Sequence, residues 1–183
     1  RVETYRKIHL VPFTEYFPFE QSMPRLYALL KEFDVYLWEP GERRVVFDHP
    51  LFDFSTPICF EDGFPNDVRR FVRAGADVII NISNDYWSLS EVEAQQHYAN
   101  SLFRSVENRR HLLRASASGV TCSIDSTGML VDKLPLYTQG FLNAEVTAGH
   151  GRTTPYTLLG DWLPVSLGVI LMFAYLFSFR RKR

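Results

Sequence analysis

The run DVIINIS at residues 77–83 constrains the fold more than any other stretch. Its apolar side chains are nearly continuous rather than alternating, the pattern of a strand covered on both faces, and such strands sit inside α/β sheets. Helices should therefore flank it in sequence. PNDVRRFVRAG (65–75) sets Val68, Phe71 and Val72 on one helical face and offers Gly75 as a stop. A longer helix is predicted from Glu91 to Arg109, with Ala94, Ala99, Leu102, Phe103 and Val106 as its inner stripe. A short amphipathic helix is predicted over 22–33 (apolar at 26, 29, 30 and 33), with Ser22 as cap and Pro24 in the first turn. FDFSTPIC (52–59) reads as a strand, 112–128 as two strands around Gly119, and GFLNAEV (140–146) as a last one. VYLWEPGERRVVFDH (35–49) reads as a hairpin about Pro-Gly. The order strand–helix–strand–helix–strand–strand is an α/β arrangement, and two packed sheets with helices outside fit it equally well.

The C-terminus adds a second constraint. No charged side chain occurs from Leu163 to Phe179, after which Arg180, Arg181, Lys182 and Arg183 follow at once. That length is roughly the minimum for a membrane helix, and apolar residues all round a helix followed by a basic cluster favour a membrane over a core. The expected organisation is a domain over 1–148, a linker over 149–162, a transmembrane helix over 163–179 and a basic cytoplasmic tail over 180–183. Positive-inside logic places residues 1–160 on the outer side. The opening RVETYRK offers no Met and no apolar leader, so the chain is expected to be the C-terminal part of a longer one.

The formal net charge of −1 gives no bulk attraction to nucleic acid. Two cysteines, Cys59 and Cys122, make no disulfide framework, and no Cys/His cluster has zinc spacing. The five histidines (9, 49, 97, 111 and 150) read as structural or solvent-exposed, and no metal or cofactor is implied.

Cys59 is the residue with chemical potential. A free cysteine is most often a buried core residue, but this one ends a strand and precedes a loop and a helix, the edge of an α/β sheet where ligands bind. Glu61 and Asp62 follow it, and two carboxylates beside a thiol would raise its pKa unless cations offset them. Lys7, in YRKIHLVPF, is the candidate cation. Glu15, an acid among aromatics in PFTEYFP, is its candidate partner.

YRKIHLVPFTEYFP, TPICFEDGFP and NISNDYW together resemble the nitrilase superfamily. Among its branches the chain is most similar to the apolipoprotein N-acyltransferases, and the match continues through QQH, LLRASASGVTCSIDSTG and TPYTLLGDW. The resemblance implies part of a nitrilase-type α-β-β-α sandwich followed by one C-terminal transmembrane helix. It also implies a Glu-Lys-Cys catalytic set. Lys7 and Cys59 match the lysine and the nucleophile, Glu15 and Glu61 match two further acids, and Phe60 and Trp87 fall at substrate-binding positions. The implied reaction moves an acyl chain from a membrane phospholipid onto the N-terminal diacylglyceryl-cysteine of an apolipoprotein, through a cysteine thioester. The implied location is the bacterial inner membrane with the catalytic domain on the periplasmic side. The chain departs from the family in three places. Thr14 stands for Gly, Phe60 for Tyr, and the Phe-Gly expected after Trp87 is missing. The set's own glutamate belongs upstream of Lys7, beyond Arg1. Two other readings use the same residues: a nitrilase-type amidase, and an inactive fragment lacking that glutamate.

Overall fold

A computed structural model of the protein describes residues 3–32, 38–147 and 153–180, with side chains described through Ser178. Phe33, the first arm of the predicted hairpin (35–37), His150 and the tail beyond Arg180 lie outside the described residues. Six strands form one sheet in sequential order: β1 (Val46–Phe47), β2 (Phe54–Ser55), β3 (Val78–Asn84), β4 (His111–Ala117), β5 (Cys122–Ile124) and β6 (Leu130–Lys133). β2, β3 and β4 are parallel, and the remaining neighbours are antiparallel. The DVIINIS strand is therefore interior, paired with β4 along its whole length from Val78–His111 to Asn84–Ala117.

The parallel pairs need crossovers, which the helices supply. α2 (Pro65–Arg73) links β2 to β3 and buries Val68, Phe71 and Val72, as its periodicity predicts. Pro65 occupies the first helical position, where its missing N–H costs nothing. Gly75, at φ +117°, lets the chain turn back into β3. α3 (Glu91–Asn108) links β3 to β4 and is capped by Ser90, whose hydroxyl accepts from the Glu93 N–H at 3.3 Å. The apolar core joins Val68 and Val72 of α2 to Ile79, Leu112, Val120, Cys122 and Ile124 of the sheet. Burial pushes the Cys122 thiol up to about 11, so this cysteine is inert packing.

Two sequence expectations, the face of α3 and a strand over 140–146, are corrected. The inward face of α3 is largely polar: Ala94 is buried, Leu102 packs against the core and Val106 is half-buried, but His97, Ser101, Arg104, Ser105 and Asn108 are buried too, while Ala99 and Phe103 are exposed. Polar residues share that face with the apolar stripe because the groove beneath α3 holds charged partners, described below. GFLNAEV forms no strand; the outer edge is β6, in 130–133, which pairs with β5. The β1 run pairs with β2, and the first arm of the predicted hairpin lies outside the described residues. Thr154 caps a short helix within the expected linker, α4 (Pro155–Leu159), accepting from the Thr157 N–H at 2.9 Å. Arg69 of α2 donates to the Thr157 carbonyl at 3.2 Å, and Thr157 donates to Asn108 at 2.9 Å, so α4 is docked on the domain.

α1 (Pro24–Glu32) lies within the predicted 22–33 helix but buries none of its residues. α5 (Trp162–Arg180) is apolar around its circumference, and every described side chain from Trp162 to Ser178 is exposed. Among the described residues no helix is long and apolar enough to cross a membrane, so the span expected over 163–179 is not shown at that length.

Candidate active site

Cys59 opens a 3-10 turn, Cys59–Gly63, between β2 and α2. Its backbone is left-handed at φ +55°, a conformation costing a non-glycine residue roughly 1 kcal/mol or more, which persists only where surrounding bonds impose it. Those bonds are present. Asn81, fully buried on β3, donates its amide to the Pro57 carbonyl at 3.1 Å and the Cys59 carbonyl at 2.9 Å. The Glu61 carboxylate, also buried, accepts from the Ile58 N–H (2.7 Å), the Ile8 N–H (2.6 Å), the His9 N–H (3.0 Å) and the Tyr5 hydroxyl (2.9 Å). It thereby fastens the strand-like segment carrying Lys7 against the cysteine turn. Burial and then the charge of Glu61 push the Tyr5 hydroxyl far up, so it stays a neutral donor.

Lys7 is buried, and its ammonium donates to both Glu15 oxygens at 2.7 Å. Glu15 also accepts from the Val11 N–H at 2.8 Å, which closes the loop holding it. The Lys7 Nζ lies 5.0 Å from the centre of the Phe60 ring, within cation–π range. A cleft of about 410 Å³ brings Lys7, Glu15, Cys59 and Trp87 together with Thr14 and Trp38. Phe60 lines a neighbouring cavity of about 810 Å³ that shares Trp38 with the cleft. Glu61 does not line either cavity; it is a buried fastening. The two acids after Cys59 each have their own donors, Glu61 as above and Asp62 in a charged cluster. The 3-10 turn separates Cys59 from Pro65 at the start of α2.

Asp62 leads to residues that sequence reasoning missed. It is fully buried and accepts from Arg114 at 2.7 Å and from Ser101. Arg114, on β4, also donates to Asn81 at 2.8 Å and to Asp85 at 3.0 Å. His97 lies between Asp62 (3.1 Å) and Asp85 (3.0 Å). A Cβ on Gly119 would collide with the Asp85 carboxylate and the Ser116 hydroxyl, so the β4–β5 turn must be glycine there. The available signal was the run of polar residues at helical spacing in α3 (His97, Ser101, Arg104, Ser105, Asn108), which is unusual for a crossover helix. Asp85, Glu93 and His97 lie close enough for a metal ion, but Arg114 already occupies Asp85, so the group reads as a charge network.

Glu61→Gln puts an N–H among four donors. It is expected to destabilise the chain by about 2–3 kcal/mol, the range for a hydrogen-bonded charged group. Urea unfolding measures this, and a change below about 0.5 kcal/mol would refute the fastening role.

The carbon-nitrogen hydrolase family model matches residues 1–156. The chain is 43% identical over 171 residues to apolipoprotein N-acyltransferase 1 of Treponema denticola, covering 93% of this chain and 31% of that protein. It is 37% identical over 182 residues to the apolipoprotein N-acyltransferase of Geobacter metallireducens, covering 96% and 33%. It thus spans about a third of the length of these relatives. Among solved structures it resembles Saccharomyces cerevisiae Nit3, of the nitrilase superfamily (TM-score 0.50, 22% identity, 71% of this chain and 43% of that one). It also resembles an amidase from Nesterenkonia sp. AN1 (TM-score 0.50, 20% identity, 74% and 48%). Half of a nitrilase-type α/β fold, with a cysteine turn at its strand ends and a family match over most of its length, places this chain in the carbon-nitrogen hydrolase family.

Proposed function

We propose that the chain is the catalytic portion of an N-acyltransferase that moves a fatty acyl group from a membrane phospholipid to the N-terminal diacylglyceryl-cysteine of apolipoproteins. The observation that carries the reading is the convergence of Cys59 with the Lys7–Glu15 pair on one cleft. The names and identities of the relatives support it further. In this reading the Cys59 sulfur attacks the ester carbonyl. The bond to the glycerol oxygen breaks, the lysophospholipid leaves with a proton, and a thioester remains. The amine of the acceptor then attacks the thioester, an amide forms, and the Cys59 thiol is restored. Lys7 stabilises the oxyanion in both steps, and Glu15 holds Lys7 in place. Glu61 holds the cysteine turn. Phe60 and Trp87 provide apolar walls for the substrates. The base that removes the thiol proton is the glutamate that the resemblance sets ahead of Lys7, outside these 183 residues.

Both substrates are lipids, so the domain (1–148) must meet a membrane. α5 is the element suited to this: it exposes apolar residues on all sides, an arrangement stable in lipid and unfavourable in water. We place it in the bacterial inner membrane, joined to the domain through 149–162. The basic residues 180–183 then lie on the cytoplasmic side and the cleft on the periplasmic side.

The test is acyl-enzyme trapping. The complete, membrane-embedded polypeptide is incubated with an alkyne-tagged phospholipid. A hydroxylamine-sensitive label is expected, and it should vanish in Cys59→Ala. Label that survives in Cys59→Ala would sink the nucleophile assignment.

A further inference from the structure

We infer that His97 is a positively charged clasp that ties the cysteine turn to the Trp87 loop, making it a positioning residue for the cleft. The two walls come from different parts of the chain. One is the Cys59–Gly63 turn, which contains Asp62; the other is the Tyr86–Ser88 turn, which carries Trp87 and begins directly after Asp85. His97 approaches from α3 and meets both, with Nε2 3.1 Å from Asp62 Oδ1 and Nδ1 3.0 Å from Asp85 Oδ1.

The protonation state follows from the partners. An ionised carboxylate only accepts hydrogen bonds, so a ring with a carboxylate at each nitrogen must donate from both. The second oxygen of each aspartate is already bound by an arginine. Arg114 donates Nη1 to Asp62 Oδ2 at 2.7 Å and Nη2 to Asp85 Oδ2 at 3.0 Å. Asp62 and Asp85 thus both face Arg114 and His97 in a buried group. Burial opposes the charge on His97, but its bonds to Asp62 and Asp85 outweigh burial and push its pKa up to about 10. Burial likewise opposes ionisation of Asp85, and bonds from His97 and Ser83 with the charge of Arg114 hold it well below the usual range. The other groups facing His97 are Glu93 of its own helix, 3.8 Å from Nδ1, and the Ser101 hydroxyl on Asp62. Ser88 completes the second wall, donating to the Asp85 carbonyl at 3.0 Å and bonding Glu93 at 3.0 Å.

The folded pKa is raised, so the clasp contributes fully below the unfolded value of about 6.5 and is lost as pH rises through about 10. Loss of the proton removes one of the two bonds and lets the walls move independently.

Calling the clasp a device of the active site rests on the acyltransferase reading; the link itself can be tested without substrate. Amide hydrogen exchange is measured on the full chain, wild type and His97→Gln, near neutral pH. Exchange in 58–63 and in 84–89 should rise by about tenfold or more together, with 68–72 of α2 unchanged. No change in either segment, change in one alone, or a rise spread equally over α2 would overturn the inference. If His97→Gln does not fold, wild-type exchange is followed from about pH 7 to about pH 10, corrected for base catalysis. Joint loosening of the two segments is expected, and a flat profile overturns the inference. In the complete enzyme His97→Gln should lower kcat with KM little changed. Failure of phospholipid labelling alongside intact coupling in exchange would refute the acyltransferase reading and leave the clasp standing.

Discussion

On the proposed acyltransferase reading, Lys7→Ala is expected to slow acyl-enzyme formation in the complete enzyme by about 100-fold to 1,000-fold, or about 2.7–4 kcal/mol, the loss typical of removing one oxyanion donor. The size follows from the setting. Lys7 is only 5% exposed, and its ammonium sits on both Glu15 oxygens at 2.7 Å and faces the Phe60 ring. A cation fixed there before the reaction needs no reorganisation when charge develops on the ester oxygen, and little water screens it. The substitution leaves Glu15 with the Val11 N–H and partial access to solvent (15%), so the loop can stay folded. Single-turnover labelling with the tagged phospholipid reads the effect, and circular dichroism checks the fold. A loss below tenfold, about 1.4 kcal/mol, would count against an oxyanion role.

Arg114→Met is expected to cost about 3–5 kcal/mol of stability, because it strands Asp62 and Asp85 as buried carboxylates with only His97 to balance them. In a chain of this size that lowers the melting midpoint by roughly 10 °C. The chain length of the methionine fills most of the space, so the loss reports charge rather than a cavity. A double variant, Arg114→Met with Asp85→Asn, removes one of the stranded charges and should recover part of the loss. A midpoint within about 2 °C of wild type in Arg114→Met would show that the cluster holds nothing together. Recovery absent from the double variant would show that the cost has another origin.

Legibility from sequence varied with the source of each element's stability. β3 and α2 were readable because their partners are apolar and periodicity records apolar partners directly. Gly75 was readable because a left-handed turn needs glycine whatever surrounds it. α3 was readable as a helix and misread as to its face. Its partners are Asp62, Asp85 and Arg114, each outside the helix, and no local pattern announces a buried polar groove. β6 escaped notice because all four of its residues are exposed, so no alternation marks it. At the site, Cys59, Lys7, Glu15 and Trp87 meet at one cleft, while Phe60 and Glu61 turn out to serve from behind or beside it. Spacing alone could not separate a residue that faces a cavity from its neighbour that anchors the turn.

The left-handed backbone at Cys59 has a consequence for how such a motif can travel between proteins. The backbone of the cysteine turn is held by Asn81 from a neighbouring strand, by Glu61 reaching back to Ile8 and His9, and by Asp62 gripping Arg114. The instructions for holding one turn are therefore dispersed from Tyr5 to Arg114. Grafting the three letters Cys-Phe-Glu onto another strand end would carry over a thiol without its support. Conversely, drift at any of those distant positions can silence the site while the motif itself stays intact.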